Sequence, residues 1–354
     1  MHTRSTAFRS AEVVARPLFR LPLIALLLIS CTTIAFAQRS ADTAKLDEDF
    51  RAAYTAKNWP EAIKLGQQLA AATPEFSEPA YNLACVYALS GDPESAMRWL
   101  GSAADRGFAD IGTLRDDADF ATIRKLPEFA KIEQRVAAAA EKRTADFDKR
   151  VAQHPPLIVP PRKLDADKPA PVILVMHGYG STAEDLAPVW RDVANERGAI
   201  FVSARAVNAA GQGFEWGTVD QADCIVQAAL EVVRNKHKID ESRIVLSGFS
   251  QGGLMAYALA ARHPQQFCGS IPVAARYIAQ SVPLKPKDPP AKRPKFFIMV
   301  GSSDRVLEEN RKANADLKAA GWDVQYQEYK GVGHTFPDNR DEELRKALDF
   351  VLPK

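Results

Sequence analysis

From residue 172 onward, short runs of consecutive apolar residues alternate with stretches whose apolar positions recur at helical spacing. The runs are Val172–Met176, Ile200–Val202, Ile244–Leu246, Ser270–Val273 and Phe296–Val300, followed by the alternating Val324–Tyr329. Runs that are apolar at nearly every position predict strands buried on both faces. Their alternation with helices predicts a mainly parallel sheet covered by helices on both sides. Leu157-Ile158-Val159 has prolines at both ends, which a sheet edge tolerates, and predicts a short edge strand of the same sheet. This α/β domain is expected to span residues 156–354.

Between Leu46 and Val136 the period is helical throughout, with almost no β-branched runs. Tyr54 and Pro60 recur as Tyr87 and Pro93, both at an offset of 33 residues. The segment Asn82-Leu83-Ala84-x-x-Tyr87-x-x-x-Gly91 resembles the tetratricopeptide repeat, and Leu114–Phe120 with Pro127–Phe129 resembles a segment that closes such groups. Residues 38–136 are therefore expected to form an all-α, tetratricopeptide-like domain. Two readings of it stay open: a group of repeats that binds a protein or substrate partner, or a plain helical hairpin with none. Residues 137–155, where charge and then proline accumulate, are expected to be a linker.

The first 37 residues change the picture of where this chain resides. Arg4, Arg9, Arg16 and Arg20 precede the apolar stretch Leu21–Ala37, which ends Ala35-Phe36-Ala37, and this reads as a secretory signal peptide with its cleavage site. The alternatives are an uncleaved anchor or a lipoprotein box, Leu28-Ile29-Ser30-Cys31, with Cys31 lipidated. Each takes the rest of the chain out of the cytoplasm, to the periplasm or the exterior, and after cleavage no membrane span is expected. Removing residues 1–37 takes away four Arg and one Glu and turns the formal charge from +2 to −1, which leaves no electrostatic case for nucleic acid. Cys85, Cys224 and Cys268 remain, without metal-ligand spacing, so neither a disulfide framework nor a zinc site is expected.

The candidate chemistry collects at the ends of the predicted strands. Ile244-Val245-Leu246 leads into Gly248-Phe249-Ser250-Gln251-Gly252 and then a helix-forming stretch. This strand, sharp turn and helix would project the Ser250 hydroxyl above the sheet edge as a nucleophile, with the Gln251 amide facing a developing oxyanion. The first run ends in His177-Gly178-Tyr179-Gly180, whose turn would aim a second amide, that of Tyr179, at the same point; His177 is expected to brace that turn rather than to transfer protons. Asp304 follows Phe296–Val300 as the orienting acid, and His334 follows Val324–Tyr329 as the general base. Phe214 and Trp216 either wall a substrate pocket or belong to the core. The Pro- and Lys-rich stretch from Ala275 to Lys295 is too short for a large cap domain, so an open site is expected.

His177-Gly178-Tyr179-Gly180, Gly248-Phe249-Ser250-Gln251-Gly252-Gly253, Gly301-Ser302-Ser303-Asp304 and Gly331-Val332-Gly333-His334 together resemble the α/β-hydrolase superfamily. The second motif is similar to the phospholipase/carboxylesterase branch that includes acyl-protein thioesterases, with polyhydroxyalkanoate depolymerases and feruloyl esterases having a related core. The resemblance implies hydrolysis of small or medium acyl esters or thioesters through an acyl-enzyme, with no metal or organic cofactor. The other class of function left open is a non-catalytic interaction protein that acts through its helical repeats and keeps the hydrolase domain as a scaffold.

Overall fold

The computed structural model describes residues 42–284 and 293–352. The leader with Cys31, and residues 285–292 of the Pro- and Lys-rich stretch, lie outside the described residues. Two compact units divide between Arg143 and Thr144.

The first unit is helical: α1 (residues 42–55), α2 (Trp59–Ala72), α3 (Glu78–Leu89), α4 (Pro93–Asp105), the short α5 (Ile111–Asp116) and the start of α6 (Pro127–Gln153). The 33-residue offset has a structural counterpart, since Pro60 and Pro93 fall in the first turns of α2 and α4, where a missing N–H costs nothing. Asn58 and Asp92 cap those helices, each accepting a backbone N–H three residues on. Ala62, Ala80, Ala84 and Ala96 are wholly buried, and a Cβ at Gly66 would come within 3.0 Å of both Leu83 and Phe50, so the helices pack at close range. Leu114, Phe120 and Phe129 are buried in one cluster with Leu83 of α3 and Leu100 of α4.

One expectation fails here. Residues 137–153 are not linker but the continuation of α6, which runs unbroken to Gln153. Between Glu128 and His154 there is neither Pro nor Gly, and Ala137–Ala140 are strong helix formers; the prolines begin at 155 and restrict only their immediate surroundings. The last turns of α6 belong to the second unit, where Phe147 is buried in the core beside partly buried Val151.

The second unit is built on a seven-stranded sheet. Its strands are β1 (Leu157–Val159), β2 (Ala170–Met176), β3 (Ile200–Ser203), β6 (Ile239–Phe249), β7 (Gly269–Val273), β8 (Lys295–Gly301) and β9 (Asp323–Tyr329), in the order β1-β3-β2-β6-β7-β8-β9. Only β1, at the edge, runs antiparallel to its neighbour. A separate two-stranded hairpin, β4 (Asn208–Ala210) with β5 (Gly213–Glu215), lies between β3 and β6 in sequence. Between the sheet strands run α7 (Ala187–Glu196), α8 (Val219–Lys236), α9 (Gln251–Arg262) and α10 (Leu307–Ala319), and α11 (Arg340–Val351) follows β9.

The continuous apolar runs are explained by two cores, one on each face. Val172, Leu174 and Met176 of β2 enter the core containing Ile225, Leu230 and Tyr257 from α8 and α9. Ile173 and Val175 enter the other, with Trp190, Leu344 and Leu348 from α7 and α11. The same split divides Phe296 and Ile298 from Phe297 and Met299 in β8. Because β2, β3 and β6–β9 are parallel, their carboxyl ends share one edge, and loops after different strands meet there. Among the described residues, no helix is long and apolar enough to cross a membrane.

Candidate active site

Ser250 sits at the turn between β6 and α9 with φ 54° and ψ −113°, a left-handed φ that a non-glycine residue adopts only where its surroundings enforce it. Its N–H donates to the Val273 carbonyl (2.9 Å), and its carbonyl accepts the Leu254 N–H (3.1 Å). The flanking residues have no room for a side chain: a Cβ on Gly248 would lie 2.2 Å from the Gly252 backbone, and one on Gly252 would lie 2.1 Å from the Met176 carbonyl oxygen. Strand and helix therefore pass backbone to backbone, and the serine is carried at the apex.

The other two groups arrive from β8 and β9. A Cβ on Gly301 would lie 2.1 Å from the Val332 carbonyl oxygen, so the loops after these strands touch. They are joined by Ser302 N–H to Tyr329 O (2.8 Å), Ser303 N–H to Val332 O (2.9 Å) and Gly331 N–H to Ser302 Oγ (2.8 Å). This lacing brings His334 Nδ1 to 3.0 Å from both carboxylate oxygens of Asp304. Asp304 Oδ1 also accepts the Val306 N–H, and its side chain is fully buried, whereas that of His334 is partly exposed. On its other side, His334 Nε2 lies 2.9 Å from Ser250 Oγ. A carboxylate can only accept, so Nδ1 carries the ring hydrogen and Nε2 is left to accept the serine O–H. The Phe249 ring lies 5.2 Å from that of His334 between centroids and is itself stacked on Phe336 at 5.5 Å.

Gly178 lies against Ser250, since a Cβ on it would be 3.6 Å from the serine Cβ. Tyr179, the next residue, is 67% exposed. Gln251 is the first residue of α9, where a backbone N–H has no acceptor within the helix. His177 is wholly buried; its Nδ1 lies 2.8 Å from the Gly178 carbonyl and its Nε2 accepts the Ala206 N–H at 3.4 Å. Both nitrogens face backbone, in keeping with a brace.

Burial holds the His177 pKa below the ordinary imidazole value. The unfolded chain therefore binds a proton at His177 more readily than the folded one, and stability falls as pH drops below about 6.5 towards the depressed folded value. Thermal melts between pH 7.5 and 5 are expected to show a falling Tm, with a shallower fall in His177→Asn. An identical pH dependence in that variant would remove His177 as the source.

Trp216 does not wall a substrate pocket. It is wholly buried in the core, and its indole N–H donates to the His177 carbonyl (2.8 Å), an anchor 39 residues away in sequence. Phe214 is partly buried against the same core, with its ring 5.7 Å from that of His154 and its backbone paired to Gly180 and Ser181. Sequence reading missed Glu215 between them, whose carboxylate accepts from the Gln251 side chain (3.1 Å). Away from the strand ends, Cys85, Asp117 and Asp119 bring ligand-type atoms within 4.8 Å of one another. Tyr81 O–H and the Cys85 thiol already donate to Asp117, and burial pushes the Cys85 thiol up, away from the thiolate that a metal needs.

A mostly parallel sheet with a serine on a strand–turn–helix apex, and an aspartate and a histidine after later strands, defines an α/β hydrolase. The Phospholipase/Carboxylesterase family matches residues 163–352, more than half of the chain, and the chain belongs to that family. It is 35% identical over 121 residues to acyl-protein thioesterase 1 of Emericella nidulans, covering 32% of this chain and 50% of that protein. It is 26% identical over 114 residues to poly(3-hydroxyalkanoate) depolymerase C of Paucimonas lemoignei, covering 30% of this chain and 28% of the other. The chain thus spans half or less of the length of these two curated relatives. The crystal structure of esterase PE8 is similar over 56% of this chain and 99% of its own, at 21% identity and a TM-score of 0.49.

Proposed function

We propose that this protein is an exported serine esterase that hydrolyses carboxylic esters or thioesters through an acyl-enzyme. The observation that carries the reading is the unbroken chain Ser250 Oγ, His334 Nε2, His334 Nδ1, Asp304, with its distances of 2.9 and 3.0 Å. Ser250 Oγ attacks the acyl carbon while its proton passes to His334 Nε2, and the Asp304 carboxylate stabilises the resulting imidazolium. The amides of Tyr179 and Gln251 hold the oxyanion. Collapse expels the alcohol or thiol, which takes the proton from His334. Water then adds to the acyl-enzyme, giving its proton to His334, and the acid leaves as Ser250 regains a hydrogen.

Export rests on the leader at residues 1–37. The helical first unit, read as tetratricopeptide-like repeats, serves association with a protein or a bulky substrate. The partly exposed His334 and the exposed Tyr179 favour substrates whose ester bond reaches the protein from open solvent.

The test is to treat the purified mature protein with a fluorophosphonate probe, locate the adduct by mass spectrometry, and measure turnover on nitrophenyl esters of graded acyl length. Labelling at Ser250 with turnover of at least one ester is expected. A protein that neither labels nor turns over any ester of the series is a scaffold, and the helical unit then becomes the functional part.

A further inference from the structure

We infer that Glu215 is a positioning residue of this esterase: through the Gln251 side chain, it fixes the aim of the backbone amide that holds the oxyanion. The inference rests on the esterase reading above. Gln251 bears that amide at the first position of α9, directly after the strained Ser250. Its side chain folds back onto the hairpin loop. Nε2 donates to Glu215 Oε2 (3.1 Å), and Oε1 accepts the Trp216 N–H (3.3 Å). The assignment of nitrogen and oxygen follows from the partners, since a carboxylate accepts and a backbone N–H donates. Glu215 Oε2 also accepts the Gly217 N–H (2.7 Å), which pins the carboxylate to its own turn.

The same hairpin holds the other oxyanion donor. Phe214 N–H donates to Ser181 O (3.0 Å), Gly180 N–H donates to Phe214 O (2.9 Å), and the Trp216 indole donates to His177 O (2.8 Å). A Cβ on Gly213 would lie 2.5 Å from the carbonyl oxygens of Gly180 and Ser181, so the two backbones are in direct contact. Tyr179 thus lies between backbone groups at 177 and 180 that are both tied to Phe214-Glu215-Trp216. From α6, Arg150 Nη1 reaches the hairpin's start, 3.2 Å from both Val207 O and Asn208 Oδ1. One short segment therefore grips both amides, by the Phe214 backbone and the Trp216 indole on the Tyr179 side and by Glu215 and the Trp216 N–H on the Gln251 side. Proton transfer among Ser250, His334 and Asp304 requires no carboxylate at 215; an amide held at a fixed angle does.

The experiment uses the full mature protein and a short-chain nitrophenyl ester. Removing a whole oxyanion donor lowers kcat by about 10²–10³-fold, and a donor left in place but misaimed loses less. Glu215→Ala is expected to lower kcat by roughly 10- to 100-fold with KM within about threefold, and to weaken inhibition by a boronic acid transition-state mimic in parallel. Glu215→Gln keeps an accepting oxygen and is expected to stay within about fivefold of wild type. Gln251→Met keeps the backbone amide and side-chain length while removing both side-chain bonds; it is expected to match Glu215→Ala and supplies the test if that variant does not fold.

Unchanged kcat in folded Glu215→Ala or Gln251→Met overturns the inference. So does a rise in KM at constant kcat, or a Glu215→Gln variant as impaired as Glu215→Ala, because charge rather than acceptor geometry would then be at work. A wild-type protein without turnover or labelling overturns the esterase reading itself, a result distinct from each of these.

Discussion

Replacing Ser250 with alanine is expected to reduce kcat on any ester the protein hydrolyses by about 10⁴-fold or more, with little loss of stability. Triad members act as a unit, and what survives the loss of one is the contribution of oxyanion donors and binding alone. Ser250 makes its structural bonds through its backbone N–H and carbonyl, both of which alanine keeps. The left-handed φ of 54° is enforced by the close approach of Gly248 and Gly252, and alanine adopts it at much the same cost as serine. Steady-state rates beside a thermal melt provide the check, and more than a tenth of the activity remaining in a folded variant would mean that another residue is the nucleophile.

Asp304→Asn is expected to have an effect of similar size, about 10⁴-fold in kcat, for a different reason. His334 Nδ1 faces both carboxylate oxygens at 3.0 Å, and Oδ1 also accepts the Val306 N–H. The amide of asparagine must turn its oxygen to Val306, which directs the NH₂ group at His334 Nδ1. That nitrogen then becomes the acceptor, the ring hydrogen moves to Nε2, and the imidazole can no longer take the Ser250 proton. Because both substitutions disable one unit, Ser250→Ala/Asp304→Asn is expected to be hardly worse than either alone. A double variant slower by the product of the two effects would show that Asp304 acts independently of the serine.

The sequence made the strand ends legible because burial on both faces writes a continuous apolar run, and the residue just past each run falls at a known edge. Ser250, Asp304 and His334 could be found that way, as could Leu157–Val159, whose flanking prolines suit only an edge. The course of α6 was misread because proline was allowed to govern residues well upstream of it, although its steric reach ends about one turn away. The β4–β5 hairpin escaped notice because each strand has three residues, too few for a period to register. Trp216 shows a further limit: whether an aromatic residue near a site walls a pocket or fills a core depends on its partner, here the His177 carbonyl. Local pattern carries no information about that partner.

The division between the two units falls inside α6, at Arg143–Thr144, not in an exposed loop. A protease needs an extended stretch of chain to close upon, and an intact helix offers none. The hydrolase unit is therefore not a piece that a host enzyme can snip free by nicking residues 137–153 of the folded protein. A recombination event that moved it to another gene would also have to carry the last turns of that helix. Phe147 fills part of the hydrolase core and Arg150 holds the hairpin that carries Glu215. Inheritance of the hydrolase half thus begins at Thr144, upstream of Pro155, the first proline of that stretch.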